Sequence, residues 1–187
     1  MPSTSLARWS NDRMPRLAEV ASQCASSHAA PPANADLAEE NVRGFILLLS
    51  AHFEGFCRDL DTESAQVISS RVRPTLRLLI QRQFTAHRGL DRGNPNLENI
   101  KRDFDRFGFS LDLAASDPAN HARLADLKEL NNWRNIAAHH GTVPSGGPPT
   151  LAEVQGWRGS CDGLATSLDG IMYNRLRSIL RRRPWTP

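Results

Sequence analysis

The stretch DLAEENVRGFILLLSAHFEGFCRDLDTESAQVIS, residues Asp36 to Ser69, decides the fold class of this chain. Its apolar positions are Val42, Phe45, Leu49, Phe53, Phe56, Leu60 and Val67. The steps between them are mostly three or four residues, the period at which side chains share one face of an α-helix. The stretch is therefore predicted to be a long amphipathic helix with one face packed on a core.

Further helices are predicted on both sides of this segment by the same spacing of apolar residues. Their predicted ranges are Met14–Ser26, Leu76 to near Arg88–Gly89, Leu97–Phe107, Pro118–Gly141 and Thr150–Ile179. Glu153 follows Thr150 at the interval of a capping box, which marks the start of the last helix. No segment alternates apolar and polar residues over the length of a strand. We therefore predict an all-α bundle in which two long antiparallel helices are packed by shorter ones.

Length and composition predict one domain. The chain has 187 residues, of which 40% are hydrophobic and 23% charged, which is a globular composition. Residues 1–12 lack a clear period and are expected to form a flexible arm, which leaves 13–187 as a single helical domain. No apolar run approaches the roughly 18 residues of a membrane span, and the start of the chain does not resemble a secretory signal. A cytoplasmic protein without membrane contact is expected.

The cysteine content and the net charge give little indication of function. The three cysteines, Cys24, Cys57 and Cys161, are an odd number without metal-ligand spacing, so neither a metal site nor a cofactor is expected. The net charge is +3, and nearly all basic residues are arginines, whose planar guanidinium groups suit phosphate. A charge of this size does not by itself identify a nucleic-acid-binding protein.

The residues with the clearest chemical potential lie in LNNWRNIAAHHG, Leu130 to Gly141. A neutral imidazole from His139 can take the proton of a ribose 2'-hydroxyl, while the guanidinium of Arg134 neutralises charge on the phosphorane oxygens. A second imidazole must protonate the leaving 5'-oxygen, and either His140 or His139 of another subunit can supply it. Such a set of residues cleaves RNA to a cyclic phosphate without a metal.

The spacing of Arg134 and His139 limits this hypothesis. On a straight helix five residues turn about 140°, so the two side chains do not share one face. They can meet only at a frayed helix end, or where two symmetric copies face each other in a dimer. Arg82 and His87 have the same spacing, so only Asn135, directly after Arg134, makes the pattern specific. The competing interpretation is a helix C-terminus whose cationic side chains favour the helix dipole.

With Asn135 included, RNIAAHHG resembles the R-N-x-x-x-H signature of the HEPN superfamily. These are compact α-helical domains that commonly dimerise and include many metal-independent endoribonucleases of toxin-antitoxin and antiviral systems. The segment AHFEGFCRDL, residues Ala51 to Leu60, is similar to the F-E-x-F segment found upstream in some bacterial branches. The order of the helices also fits, and the resemblance spans roughly Asp36–Arg183.

The resemblance implies roles for particular residues and partners. Arg134 and His139 would be catalytic, Asn135 would hold the site or shape the helix end, and Glu54 would orient Arg134 or a histidine. The doubled histidine leaves His140 as an alternative to His139. The implied partners are an RNA substrate, a second copy of the chain that completes the site, and an antitoxin or other regulatory protein.

The regulation of the protein, the role of Glu54 and the function itself each have an alternative. The chain departs from HEPN toxins that are silenced by nucleotide transfer, because Gly141 stands where those toxins have a tyrosine two residues after the histidine. This puts regulation by a nucleotidyltransferase in doubt. Glu54 also has a simpler interpretation as a flank residue that pairs with Arg58 one turn away. The alternative function is a non-catalytic HEPN-like module that binds RNA, a nucleotide or a protein.

Overall fold

The fold is all-α, as the spacing of apolar residues predicts. The computed structural model describes residues 1–29, 35–139 and 147–185, and within these ranges it contains helices and no strand. The α-helices are α1 (Thr4–Arg8), α2 (Met14–Ala29), α3 (Ala35–Ser69), α4 (Pro74–Thr85), α5 (Leu97–Phe104), α6 (Leu113–Ser116), α7 (Asn120–His139) and α8 (Leu151–Leu180). A π-helical segment, Trp9–Arg13, joins α1 to α2.

Local signals in the sequence fix several helix ends. Thr150 and Glu153 form the predicted capping box: the backbone N–H of Thr150 donates to Glu153 Oε2 at 2.7 Å, and the backbone N–H of Glu153 donates to Thr150 Oγ1 at 3.3 Å. Asn96 caps α5 by accepting from the backbone N–H of Asn99 at 2.8 Å. These bonds satisfy N–H groups that the first turn of a helix leaves without a partner.

The core lies on the apolar face of α3. Phe45, Leu49, Phe53 and Phe56 are all fully buried. Burial of one such side chain stabilises the fold by about 1.5–3 kcal/mol relative to an exposed one. Helices α2, α7 and α8 pack against this face, which makes α3 the central helix of the bundle.

The N-terminal segment is packed rather than flexible, which corrects the expectation for residues 1–12. Trp9 is fully buried, and its Nε1 donates to Asp162 of α8 at 2.9 Å. The backbone N–H of Ser3 donates to Asp169 of α8 at 3.1 Å. Because the partners of this segment lie far away in sequence, its local pattern does not reveal them.

The two long helices, α3 and α8, run parallel, which corrects the expectation of an antiparallel pair. At one level Trp9 contacts the ring of Phe56 in α3, with centroids 5.6 Å apart, and bonds to Asp162 in α8. At a second level the same N-terminal segment bonds to Glu63 in α3 and to Asp169 in α8, seven residues further along each helix. The two long helices are parallel because α7 lies between them in the chain and runs in the opposite direction, so that α8 begins near the level of the middle of α3.

Helix α7 is antiparallel to its neighbour α8. Asn120 at the start of α7 bonds to Ser167 Oγ at 3.1 Å, and Ser160 of α8 donates to Asp126 further along α7 at 2.5 Å. The C-terminal end of α7, which carries the RNIAAH residues, therefore lies near the start of α8 and alongside the middle of α3.

Helix α4 is different from the others because none of its residues is buried. It packs along the second half of α3 and leaves Leu76, Leu78 and Leu79 exposed by 45%, 57% and 62% of their surface. Leu76 and Leu79, one helical turn apart, expose apolar surface of the kind that contacts other molecules. In the part of the chain that the structure describes, no helix is long and apolar enough to cross a membrane.

Candidate functional site

Arg134 and Asn135 lie in the last turns of α7, where the helix faces α3. Arg134 is half-buried, and its Nη1 donates to Asn135 Oδ1 at 3.4 Å. Trp133, directly before it, packs against the core, as expected for a large aromatic residue in this register. The packing of Trp133 fixes the rotation of α7 and so positions the guanidinium group near the surface.

Asn135 connects α7 to the loop that precedes α5. Its Oδ1 accepts from Asn94 Nδ2 at 2.7 Å, in addition to the longer contact with Arg134. The loop is fixed on its other side, since Asn99 Nδ2 donates to the carbonyl oxygen of Asn94 at 2.8 Å. Asn94 is a residue that the sequence did not indicate, although GNPN between two helices is a clear turn signal.

Glu54 lies on α3 within electrostatic range of Arg134. Burial raises the pKa of Glu54, Arg58 and Arg134 oppose this rise, and Asp91 adds to it. Its closest cation is Arg58, at 3.4 Å, which matches the simpler of the two interpretations of this residue. Among the described residues Glu54 and Arg134 form no ion pair within 4.0 Å, so the positive charge of Arg134 influences the pKa of Glu54 only from a distance.

His139 is not brought beside Arg134. It is exposed and is the last residue of α7. Because α7 is continuous from Arg134 to His139, the two are separated by about 140° of rotation and about 7.5 Å along the axis. His140, Gly141 and Thr142 lie outside the described residues. One chain therefore gathers Arg134, Asn135, Asn94 and Glu54 at one end of α7 and presents His139 in another direction.

A cleft of about 380 Å³ opens beside Asn135, between α7 and the loop that precedes α5. Its lining residues are Asn94, Asn96, Leu97, Glu98, Leu124, Leu127, Lys128, Asn131, Asn132 and Asn135. Asn131 is only 6% exposed, and its Nδ2 donates to the carbonyl oxygen of Leu127 at 2.8 Å. Its Oδ1 has no partner among the described residues, and an unpaired buried acceptor costs about 1–3 kcal/mol.

The glycine of the FEGF segment has a packing role. A Cβ atom at position 55 would lie 2.7 Å from Arg13 Nη1. Arg13 crosses α3 at this point to donate to the carbonyl oxygen of His52 at 2.8 Å and to Asp59 at 2.6 Å. The small residue therefore lets the N-terminal segment lie close to α3.

The remaining histidines of interest lie elsewhere. His52 is half-buried beside Arg13 and Arg16, and its pKa is lowered mainly by burial and further by these two arginines. His87 is exposed in a left-handed backbone conformation, with a φ of 55°, and its Nδ1 lies 3.0 Å from Arg92 Nη2. Arg82 and His87, which have the spacing of the candidate pair, thus provide a natural control.

The cysteines behave as apolar core residues. Cys57 and Cys161 are buried, and burial raises the pKa of both thiols. Cys24 donates to the carbonyl oxygen of Asn41 at 3.6 Å. Within the described ranges, no group of three or more His, Cys, Asp and Glu side chains is arranged to hold a metal ion.

Comparison with family models, with curated proteins and with solved structures finds no match to this chain. Its function is therefore inferred from its own residues.

Proposed function

We propose that this chain is a metal-independent endoribonuclease of the HEPN type that works as a homodimer. The observation that supports this most directly is the end of α7, where Asn135 bonds to both Arg134 and the loop residue Asn94. This arrangement holds a half-buried guanidinium at the end of α7 that also carries the exposed His139, which lies about 7.5 Å further along the axis and is turned away by about 140°. A cation and an imidazole are the two groups that 2'-hydroxyl attack on a phosphodiester requires.

The reaction needs one base, one cation and one acid. The imidazole of His139 accepts the proton of the 2'-hydroxyl as the 2'-oxygen forms a bond to phosphorus. Arg134 stabilises the negative charge of the phosphorane by donating to its non-bridging oxygens. The bond from phosphorus to the 5'-oxygen then breaks, and a second imidazole protonates that oxygen. The products are a 2',3'-cyclic phosphate and a free 5'-hydroxyl.

A dimer resolves the separation of Arg134 and His139 along α7. In an isologous dimer the same surface of both copies meets at a two-fold axis, so His139 of one copy can face Arg134 of the other. His139 is then the base, and His140, next to it in the same chain, supplies the second imidazole.

The proposed biological setting is toxin-antitoxin or antiviral defence. A ribonuclease of this kind is harmful to its own cell, so an antitoxin or regulatory protein is the expected partner. Expression of the chain should arrest growth, and His139→Ala should relieve the arrest. Equal arrest by both forms would contradict this role.

The second candidate function is a non-catalytic HEPN-like module that binds RNA or a nucleotide. The cleft beside Asn135 favours it, because binding there does not require Arg134 and His139 to meet. Binding of RNA without turnover would establish this function and exclude the first.

The deciding experiment is an RNA cleavage assay with purified protein in EDTA. Arg134→Ala and His139→Ala should each lower the cleavage rate by about 100-fold or more, since each removes a group that acts on the reacting phosphate. Arg82→Ala and His87→Ala are the matched controls, because this exposed pair has the same spacing without Asn at the next position. Loss of cleavage in the controls alone, or a strict need for metal, would overturn the proposal.

A further inference from the structure

The cleft beside α7 is distinct from the Arg134 and His139 pair. Its walls come from the loop Asn94–Asn96, the start of α5 and one face of α7, and neither Arg134 nor His139 lines it. It joins the candidate cleavage site through Asn135, which lines the cleft and also bonds to Arg134. A ligand held in this cleft would therefore lie directly beside the guanidinium group.

Neutral amides dominate the cleft. Five of its ten lining residues are asparagines, and the ionisable ones are Lys128 and Glu98, which are exposed and opposite in charge. An amide presents a donor and an acceptor side by side and carries no charge. The cleft is therefore suited to a neutral ligand whose edge also has adjacent donors and acceptors.

Asn131 gives the cleft a fixed recognition group. Its Nδ2 donates to the carbonyl oxygens of Leu127 at 2.8 Å and Pro95 at 3.4 Å, which hold the side chain in one orientation. Asn131 is buried, with only 6% of its surface exposed, and its Oδ1 lacks a partner among the described residues. Native proteins pair almost all buried polar atoms, so this acceptor calls for a donor from outside.

Apolar side chains complete the lining. Leu97, Leu124 and Leu127 provide carbon surface beside the amides. The volume of about 380 Å³ lies within the range of small-molecule sites. A flat heterocycle with a polar edge would place its face against the leucines and its edge against the asparagines.

We propose that this cleft binds a nucleobase of the RNA substrate next to the cleaved phosphodiester. Amide side chains recognise nucleobases through paired hydrogen bonds to their edges, adenine being the usual partner of asparagine. Unpaired bases in single-stranded RNA expose these edges and are free to enter a cleft. The role in substrate selection rests on the proposed ribonuclease function, whereas nucleobase binding does not.

Binding is tested on the full chain with small probes. The four ribonucleoside monophosphates and ribose 5-phosphate are titrated by calorimetry or NMR. AMP should bind saturably and at least ten-fold more tightly than ribose 5-phosphate. Equal affinity for the two, which would show recognition of the sugar phosphate alone, or no saturable binding, would overturn the proposal.

Variants locate the binding to the cleft. Asn132→Leu should weaken AMP binding at least ten-fold, because it removes an amide from an exposed position of α7 without changing the core. The matched control is Asn174→Leu, at an exposed position of α8 that does not line this cleft. Equal loss of binding in both variants, or in neither, would contradict the assignment.

A cleavage readout separates the two proposals. Asn132→Leu should change which phosphodiesters of a mixed-sequence RNA are cut, while His139→Ala should abolish cleavage and retain AMP binding. Nucleotide binding without any RNA cleavage would contradict the ribonuclease function and support the nucleobase site. RNA cleavage by Asn132→Leu at the same phosphodiesters as the wild-type protein would contradict the nucleobase site and support the ribonuclease function.

Discussion

At the scale of single residues, Asp61 is a buried carboxyl in the middle of the bundle. It is fully buried on α3, and Arg88 Nη1 donates to its Oδ1 at 3.1 Å. Burial raises the pKa of Asp61 to about 7, an effect that Arg88 offsets only in part. The folded protein therefore holds this proton more tightly than the unfolded chain does, where an aspartate has a pKa of about 3.9.

The stability of the protein should fall as pH rises between about 4 and 7 because of this group. The protonated carboxyl stabilises the fold fully below the unfolded pKa, and this stability is lost as pH rises to the folded pKa of about 7. The loss is at most about 1.4 kcal/mol per pH unit for one proton. Asp61→Asn should remove this slope, as measured by urea unfolding from pH 5 to 8. Parallel pH profiles for the two proteins would contradict the assignment to Asp61.

The residues of the candidate site were only partly predictable. Arg134, Asn135 and His139 follow from a short motif, and the pairing of Glu54 with Arg58 follows from their spacing along one helix. Asn94 and Asn131 carry no such signal, because their importance arises from a loop and a helix meeting in space. The burial of Asp61 also has no signal in the sequence, because it depends on how α3 is rotated within the bundle.

At the scale of elements, the helices themselves were largely predictable and their arrangement was not. Apolar spacing is a local property, so it predicted α2, α3, α7 and α8 to within a few residues. The short α1 has too few turns to show a period, and its contacts lie on α3 and α8. The parallel direction of α3 and α8 depends on α7 returning between them, which no local pattern encodes.

Trp9 should be the residue through which the N-terminal segment stabilises the bundle. Trp9→Ala should lower the free energy of unfolding by about 3–5 kcal/mol, because it empties a fully buried aromatic site. Trp9→Phe should cost less, since it keeps an aromatic ring beside Phe53 and Phe56 and loses the bond to Asp162 and part of the buried volume. Urea unfolding measures both, and a loss below about 1 kcal/mol for Trp9→Ala would show that the segment contributes little.

At the scale of the whole molecule, the separation of Arg134 and His139 makes the dimer testable by mixing two inactive variants. Arg134→Ala retains His139, and His139→Ala retains Arg134. If each site takes Arg134 from one chain and both His139 and His140 from the other, a mixed dimer contains one intact site. Equal mixing should then restore about a quarter of wild-type activity, because half of the dimers are mixed and half of their sites are intact.

The same experiment distinguishes a site built within one chain. In that case neither chain of the mixed dimer has both groups, so activity stays at the level of the separate variants. The cleavage rate of the mixture relative to each variant alone is the quantity to measure. Each variant refolded alone in the same way controls for the effect of the refolding treatment on activity.

The contacts of the N-terminal segment with α8 can form only late during folding of the nascent chain. Ser3 bonds to Asp169, 166 residues later, and Trp9 bonds to Asp162, 153 residues later, so both partners are synthesised long after this segment. Until then Trp9 has no complete binding surface, and contacts of such long sequence separation form slowly. The nascent protein therefore carries Trp9 without its partner on α8 while the next 153 residues are made.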